Sequence, residues 1–394
     1  MRPFFVASFF CFLLHAQAIW VGSWAAAQQT PEPQNALPAD ALRDATLRQI
    51  VHLSVGGDRI RIHLSNAFGT APLHLASVHV ARPVSPRSPQ LDPATDRALT
   101  FAGHADVTIP AGAEYISDPL PFPVAPLSDL AISIRYDQPP AGQTGHPGSR
   151  ATSYLMHGDE VVSKFDHWYQ ITGVDVTAAP TSFAIVVLGD SITDGHGATT
   201  NGNDRWPDVL AARVPSVGVL NEGIGGNHLL TDGLGPNALA RFDRDVLAQT
   251  GVRYLVVLEG VNDLGGLERT REATPAEHAA LVERIEGAYE QIIVRARAHG
   301  IRVIGATVLP YTGSNYYHPG PASEADRVAV NRWIRDPEHF DAVIDFDAIT
   351  RDPEHPERLL PAYDSGDHLH PSPAGYAAMA NAVPLRFFGI QSTP

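Results

Sequence analysis

A serine stands directly after an apolar run in the middle of the chain. Residues 185–188 are Ile-Val-Val-Leu, and Gly189-Asp190 lead into Ser191. Near the C-terminal end, Asp367 lies three residues before His370. A serine hydroxyl is a weak nucleophile until a base takes its proton, and an aspartate can select the histidine tautomer that does so. We therefore predict a catalytic set with Ser191 as nucleophile, His370 as base and Asp367 as its orienting partner.

Two further segments offer hydrogen-bond donors. The Gly-rich turn at 221–227 (Asn-Glu-Gly-Ile-Gly-Gly-Asn) can present the bare N–H of Gly226, and Asn262, in the Gly-Val-Asn-Asp run 260–263, can present its amide. Negative charge develops on the carbonyl oxygen during acyl transfer, and donors held in place stabilise it. Gly226, Asn262 and the N–H of Ser191 are the predicted oxyanion hole.

Each of these motifs also has a common structural explanation. A serine after a strand often caps the next helix, an Asn-Asp pair is typical of turns, and the glycines of 221–227 can serve loop flexibility. Asp367, His368 and His370 could instead hold a metal ion, but neighbouring side chains on an extended segment point apart. We therefore do not predict a metal site. The polar neighbours Asp194, Asn227 and Asp263 are interpreted as groups that hold the loops.

A run of aromatic residues follows one of the apolar segments. It contains Tyr311, Tyr316 and Tyr317. Aromatic rings in this loop could stack on a sugar or an acyl group, or could shield the site from solvent.

The chain after Pro180 alternates short apolar runs with helical stretches. The clearest helix is predicted from Pro275 to Gly300, after the start signal Thr274-Pro-Ala-Glu277. The apolar runs lie at 183–188, 253–258, 302–307 and 342–346. Strands alternating with helices predict a layered α/β domain whose functional loops lie at the carboxyl ends of the strands. The serine, the asparagine and the 367–370 loop are expected to converge there.

The chain before Pro180 has a different, strand-like pattern punctuated by proline and glycine. Residues 49–55 and 59–65 flank Gly56-Gly57-Asp58 and are predicted to form a hairpin, with Ile60, Ile62 and Leu64 on one face. No helix of three turns is predicted. The expected outcome is an antiparallel sandwich of the jelly-roll kind.

The first 18 residues are typical of a secretory signal. Arg2 supplies positive charge, residues 4–14 are a short apolar core, and Ala16-Gln17-Ala18 is a small-x-small cleavage site. This core is shorter than the roughly 20 residues that span a bilayer. We therefore predict a signal peptide at 1–18, a β-sandwich domain at 19–178, a hydrolase domain at 179–394, and a secreted or periplasmic location. The only cysteine, Cys11, lies in the signal.

The charge balance is acidic. The formal net charge is −15, from 28 Lys and Arg residues against 43 Asp and Glu residues. This balance opposes binding to nucleic acid or to an anionic membrane surface. The acyl-transfer residues described above predict a small-molecule or glycan ester as the partner, and the oligomeric state stays open.

Taken together, four separated blocks in order resemble the SGNH (GDSL-type) hydrolase family. They are Gly189-Asp190-Ser191, 221–227, 260–263 and 367–370. The resemblance implies a flavodoxin-like three-layer α/β/α fold, no cofactor, and the roles given above to Ser191, Gly226, Asn262, Asp367 and His370. The segment from Trp20-Val-Gly-Ser-Trp24 to Ser65-Asn-Ala-Phe-Gly69 resembles the β domain that precedes the hydrolase domain in one secreted subgroup.

The leading functional hypothesis is a secreted serine esterase. It would hydrolyse short-chain acyl esters, acetyl esters in particular, including those on polysaccharides, through an acyl-enzyme. A different class remains as an alternative, namely a carbohydrate-binding protein whose hydrolase domain is catalytically silent. A lipase, or an acyltransferase that uses an alcohol in place of water, would employ the same residues.

Overall fold

The computed structural model describes residues 18–391. Among these residues, no helix combines the length and the hydropathy that crossing a bilayer requires. The predicted signal segment, except for Ala18, lies outside the described residues.

The N-terminal half is built from antiparallel strands. They are β1 (Ile19–Ala25), β2 (Ala45–His52), β3 (Gly57–Ser65), β4 (Leu73–Leu75), β5 (Ser77–Ala81), β6 (Arg97–Ala98), β7 (Val107–Ile109), β8 (Glu114–Ile116), β9 (Leu120–Val124), β10 (Asp129–Tyr136), β11 (Gly145–His146), β12 (Ser153–His157), β13 (Glu160–Phe165), β14 (Trp168–Tyr169) and β15 (Ile171–Ala178). One sheet has the order β1-β15-β3-β8, with β9 also paired to β3, and the other has the order β13-β12-β2-β10-β5-β6. The pairs β4–β7 and β11–β14 stand apart, and Pro93–Thr95 is a short 3-10 turn.

The two main sheets bury a shared apolar core. Ile60, Ile62 and Leu64 of β3 are fully buried in one cluster with Ile132 and Ile134 of β10, which belongs to the other sheet. The arginines that alternate with them in β3 are more exposed, as period-2 alternation requires. The predicted all-β N-terminal domain is confirmed.

The predicted hairpin over 49–65 is wrong. β2 pairs with β10 and β12, whereas β3 pairs with β15, β8 and β9, so the two strands lie in different sheets. The connection bonds elsewhere, since the N–H of Leu53 donates to Ser128 O (2.9 Å) and that of Ser54 to Ser23 O (2.9 Å). Alternation and a Gly-Gly turn identify two strands and a reversal, but the partners come from strands distant in sequence.

The C-terminal half is a parallel sheet with helices. The strands are β16 (Ala184–Gly189), β17 (Gly218–Gly223), β18 (Val252–Leu258), β19 (Arg302–Ala306) and β20 (Ala342–Ile344). The helices are α1 (Ser191–Asp194), α2 (Trp206–Arg213), α3 (Ala238–Phe242), α4 (Val261–Leu267), α5 (Pro275–Ala298), α6 (Pro321–Arg335), α7 (Phe346–Thr350) and α8 (Pro373–Ala382), with a π-helical turn at Asp243–Leu247 and a 3-10 turn at Leu385–Phe388.

The order of this sheet is β17-β16-β18-β19-β20, with all pairs parallel. Numbered within the domain it is 2-1-3-4-5, the flavodoxin-like arrangement, and the predicted three-layer fold is confirmed. The long helix α5 begins with the predicted capping box, in which the Thr274 hydroxyl accepts from the N–H of Glu277 and the Glu277 carboxylate accepts from the N–H of Thr274.

Strand β17 was not predicted, and its last three residues, 221–223, were expected as part of a Gly-rich turn. Its apolar run is only Val219-Leu220, too short to indicate a buried strand, and Gly218 before it allows close packing against the N-terminal half. A Cβ on Gly218 would lie 2.0 Å from Gly22 O in β1. The halves also share hydrogen bonds, from Val219 N–H to Ser54 Oγ (3.0 Å) and from Gly22 N–H to Thr250 O (2.9 Å). The predicted domain boundary at 178/179 falls in the link between β15 and β16.

Candidate active site

Ser191 lies between the carboxyl end of strand β16 and the start of helix α1. β16 ends at Gly189, and helix α1 begins at Ser191 with Asp190 as its cap, whose carboxylate accepts from the N–H of Ile192 (2.8 Å). The first N–H groups of a helix have no partner within it, so the N–H of Ser191 is free to meet a ligand. Burial raises the pKa of Asp190.

The structure brings the three residues of the predicted catalytic set together. Ser191 Oγ lies 2.8 Å from His370 Nε2, and His370 Nδ1 lies 2.6 Å from Asp367 Oδ2. The other oxygen, Asp367 Oδ1, accepts from the N–H groups of Leu369 (2.9 Å) and His370 (2.8 Å). A carboxylate accepts, so Nδ1 carries the ring proton and Nε2 can accept from the serine hydroxyl.

Hydrogen bonds stabilise the ionised form of the Asp367 carboxylate. Partial burial opposes ionisation, but the bonds from the His370 ring and from the N–H groups of His370 and Leu369 outweigh it and keep the pKa of Asp367 below its usual range. The carboxylate is therefore ionised wherever the protein is folded at moderate pH.

The predicted oxyanion donors line the same cavity as Ser191 and His370. Gly226 has φ +69°, a conformation that L side chains adopt only with strain, and among residues 18–391 no hydrogen bond engages its N–H. Its neighbour Gly225 is already engaged, because its N–H donates to Asp194 Oδ2 (3.1 Å). Of these two glycines, Gly226 is the one with a free donor.

Residues 187–378 match the model of the GDSL-like lipase/acylhydrolase family. Over this segment the chain carries a GDSL-like lipase/acylhydrolase domain. This domain places the protein among the carboxylic ester hydrolases. The search of curated proteins found no match.

Solved structures of similar proteins cover the hydrolase half. A protein from Desulfitobacterium hafniense described as lipolytic and of the G-D-S-L family is 24% identical, over 50% of this chain and 96% of its own, with a TM-score of 0.38. A GDSL-like lipase from Bacteroides thetaiotaomicron is 20% identical, over 52% and 88%, with a TM-score of 0.39. A catalytic mutant of an acetylxylan esterase from Geobacillus stearothermophilus is 21% identical, over 53% and 95%, with a TM-score of 0.38. Because these TM-scores are low, we assign the family from the match over residues 187–378.

Tyr317 orients Asn262 in this GDSL-like hydrolase. The Tyr317 hydroxyl donates to Asn262 Oδ1 (2.5 Å), and Asn262 Nδ2 donates to Asn227 O (2.7 Å). Because a backbone carbonyl only accepts, the amide nitrogen must face Asn227, which leaves Oδ1 to Tyr317. Sequence reasoning had Tyr317 only as part of an aromatic loop. Of its companions, Tyr316 lines the cavity, whereas Tyr311 is buried and bonds Ser323.

A buried arginine joins the segments that carry these groups. The Arg241 guanidinium is fully buried and donates to Gly189 O (3.0 Å), Glu222 O (2.6 Å) and Asn227 Oδ1 (2.9 Å). Burial also raises the pKa values of Glu222 and Glu259 beside it. Nothing in the local sequence pattern singled out this residue.

The remaining polar neighbours hold loops, as interpreted from the sequence. The Asp263 carboxylate accepts from the N–H groups of Leu229 (2.8 Å) and Leu230 (3.0 Å), and the Asn227 amide donates to Pro236 O (2.8 Å). Asp194 engages Gly225 as described above. None of the three bonds Ser191 or His370 in the described part of the chain.

The residues that could reach a cation differ from those considered in the sequence. His368 bonds Asp364 (Nδ1 to Oδ2, 2.5 Å) and does not join Asp367 and His370. Within the described chain, His196, Asp367 and His370 bring ligand-type atoms within 4.8 Å of one another. His370 already bonds both Asp367 and Ser191, so a cation here would compete with those bonds.

His196 is a neighbour of the catalytic set that the sequence did not reveal. Its ring centroid lies 4.0 Å from that of His370, and its Nε2 lies 3.8 Å from Asp367 Oδ2. Burial, together with the positive charges of His370 and Arg150, lowers the pKa of His196 to about 4. His196 is therefore neutral near pH 7.

The cavity above Ser191 has a volume of about 590 Å³. Two of its lining residues are large and half-exposed, Leu234 and Tyr316, and the Arg269 guanidinium lies 4.2 Å from the Tyr316 ring centroid. A second cavity of about 500 Å³ shares Gly366 with the first and is lined by polar groups that include Asp352, Arg358 and His368. The site therefore has an apolar wall near the serine and a polar extension beside it.

Proposed function

We propose that this hydrolase is a secreted serine esterase that cleaves short-chain acyl esters, acetyl esters of polysaccharides among them. The observation that carries the proposal is the hydrogen-bonded chain from Ser191 Oγ through His370 to Asp367, at a cavity that also exposes Gly226 and Asn262. That arrangement matches the needs of acyl transfer, namely an activated nucleophile and donors for the oxyanion.

In the proposed reaction, Ser191 Oγ attacks the ester carbonyl carbon while His370 Nε2 takes the hydroxyl proton. The carbonyl π electrons move onto oxygen, where the N–H groups of Ser191 and Gly226 and the amide of Asn262 stabilise the charge. His370 then returns the proton to the departing alkoxide as the C–O bond breaks. A water molecule repeats the sequence on the acyl-enzyme and releases the carboxylic acid.

The role proposed for Asp367 follows from its charge. The pKa of Asp367 is held below its usual range, so the carboxylate stays anionic when His370 becomes an imidazolium. The ion pair stabilises that cation and keeps Nε2 directed at Ser191.

Substrate size and chemistry are inferred from the cavities. The apolar wall with Leu234 and Tyr316 suits a small acyl group or a sugar face, which packs on aromatic rings. The side chains that line the adjoining cavity, such as Asp352 and Arg358, can form hydrogen bonds with the hydroxyl groups of a large alcohol such as a sugar. These features favour an acetylated carbohydrate over a long-chain lipid. Secretion is supported by the signal-like pattern of residues 1–18.

The test is hydrolysis of p-nitrophenyl esters of increasing acyl length, with EDTA, by the purified protein and by Ser191→Ala. We expect activity that is highest on acetate, survives EDTA and is lost in the variant. Release of acetate from acetylated xylan, compared with a deacetylated control, then tests whether the enzyme accepts an ester on a polysaccharide. Activity that persists in Ser191→Ala would reject Ser191 as nucleophile, and a preference for long chains would favour a lipase.

A separate measurement addresses secretion. Expressed in a bacterial host with its own N-terminus, the protein should be recovered outside the cytoplasm with a mass that corresponds to cleavage after Ala18. An intact chain in the cytoplasm would contradict the proposed location.

A further inference from the structure

One loop of the N-terminal β domain reaches the catalytic centre of the other domain. This loop, residues 144–150, contains strand β11 and lies between β10 and β12. His146 is buried within it, and both of its ring nitrogens face acceptors, with Nδ1 2.8 Å from Ala27 O and Nε2 2.9 Å from Asp194 Oδ1. Asp194 belongs to helix α1, whose first residue is the nucleophile.

Asp194 links His146 to the proposed oxyanion hole. Its second oxygen, Oδ2, accepts from the N–H of Gly225 (3.1 Å), the residue before Gly226. The position of the Gly226 N–H therefore depends on a carboxylate whose other oxygen is held by His146. Because successive peptide planes share a Cα, a displaced Gly225 N–H turns the next peptide as well.

Gly148 of the same loop packs directly on that carboxylate. A Cβ on Gly148 would lie 1.9 Å from Asp194 Oδ2, closer than any side chain can approach. A residue other than glycine would have to push the loop and the carboxylate apart.

Arg150, at the end of the loop, reaches the other side of the site. Its Nη2 lies 3.0 Å from His196 Nδ1. A guanidinium only donates, so Nδ1 accepts and the proton of the neutral imidazole lies on Nε2, which faces Asp367. Arg150 thereby sets the tautomer and the angle of a ring that packs at 4.0 Å from His370.

We propose that the β domain contributes positioning residues to the active site. Its loop 144–150 positions the oxyanion donor through His146 and Asp194, and positions the catalytic base through Arg150 and His196. The inference rests on the proposed function and adds a role for the N-terminal half of the chain. His146, Gly148 and Arg150 are positioning residues, because none of them touches Ser191 or lines the cavity above it.

The first measurement is steady-state hydrolysis of p-nitrophenyl acetate by the full chain and its variants. His146→Leu removes both ring nitrogens at similar size, and Arg150→Met keeps the length of the side chain but removes its donors. We expect kcat to fall roughly 10- to 100-fold with KM changed less than about 2-fold, since complete loss of one oxyanion donor costs about 10²–10³. His146→Gln and Arg150→Lys, which keep a donor, should recover part of kcat.

The matched control is His63→Leu. His63 is likewise a buried histidine of the β domain that is bonded to carboxylates, Asp175 and Glu114, but it lies outside the loop 144–150. It should lower the melting temperature while kcat stays within 2-fold of the wild type. If it lowers kcat as much as His146→Leu does, loss of stability explains both and the inference fails.

The second measurement does not need activity. Hydrogen exchange of the peptide that spans residues 221–230, followed by mass spectrometry, should be faster in His146→Leu and Gly148→Ala than in the wild type or His63→Leu. An unchanged exchange rate and an unchanged kcat would overturn the inference. If the wild type hydrolyses no ester but His146→Leu and Gly148→Ala still exchange faster than the wild type, the proposed function is rejected and the coupling between the domains is retained.

Discussion

The hydroxyl of Tyr317 offers a sharp test of how the proposed oxyanion hole is held in place. The change is Tyr317→Phe, which removes one oxygen from a ring that is 4% exposed and leaves the ring packed against Tyr311 and Tyr316. Burial raises the pKa of Tyr317, so the phenol keeps its proton and acts as a donor in the wild type. After the change, Asn262 Oδ1 has lost that donor.

The expected magnitude follows from the two bonds of the Asn262 amide. The bond from Nδ2 to Asn227 O remains, so the side chain is loosened rather than lost. A neutral hydrogen bond contributes about 0.5–1.5 kcal/mol net, which corresponds to about 2- to 13-fold in rate at ~1.4 kcal/mol per factor of ten. Removal of Asn262 itself is expected to cost about 10²–10³, which sets the upper limit.

The assay is kcat for p-nitrophenyl acetate in a double-mutant cycle with Asn262→Ala. If Tyr317 acts through Asn262, Tyr317→Phe lowers kcat in the wild-type background and changes nothing once Asn262 is alanine. KM should stay nearly constant in all four proteins. Equal losses in both backgrounds, or no loss in either, would refute a positioning role.

The other predictions concern single residues of the same site. Asn262→Ala should lower kcat by about 10²–10³ in the p-nitrophenyl acetate assay, and an unchanged kcat would remove Asn262 from the oxyanion hole. Gly226→Ala places a Cβ at φ +69° and 3.0 Å from Leu234 Cδ1, so urea denaturation should show a loss of about 1–2 kcal/mol together with a lower kcat. Arg241→Met removes the buried guanidinium from between its acceptors and should lower the free energy of unfolding by about 3–5 kcal/mol, measured by urea denaturation. A decrease of less than ~1 kcal/mol would show that the buried hydrogen-bond network does not depend on Arg241. His370 must be neutral to accept the serine proton, so kcat/KM should fall as the pH is lowered. The pKa of His196 is about 4 and that of Asp367 is below its usual range, so neither group gains a proton between about pH 8 and about pH 5, and a kcat/KM that stays constant over that interval would contradict the assignment.

Local patterns predicted several elements of the secondary structure. Short apolar runs identified β16, β18, β19 and β20, and a capping signal identified the start of α5, because each pattern lies within one element. Pairing was harder. The strands β2 and β3 are neighbours in sequence yet belong to different sheets, since each finds its partners among strands that the chain supplies much later. β17 escaped detection because its apolar run is only two residues long, bounded by Gly218, which packs against β1, and by the polar Asn221.

The residues of the proposed active site divide in the same way. Ser191, Gly226, Asn262, Asp367 and His370 each belong to a short block whose residue types have a recognisable chemistry, and the structure places all five around one cavity. Tyr317, Arg241, His146 and Arg150 belong to no such block. Each acts on a residue far along the chain, as when His146 contacts Asp194 at a separation of 48 residues.

The amino-acid sequence by itself therefore determined which side chains can do chemistry and which half of the chain carries them. Residue type sets whether a group can attack, accept a proton or donate to an oxyanion, and that information is local. Only the tertiary structure decided which groups hold them in place, because those contacts depend on packing between elements that sequence separates. The loop 144–150 shows this most clearly, since its reach into the active site depends on how a β domain packs against a parallel sheet.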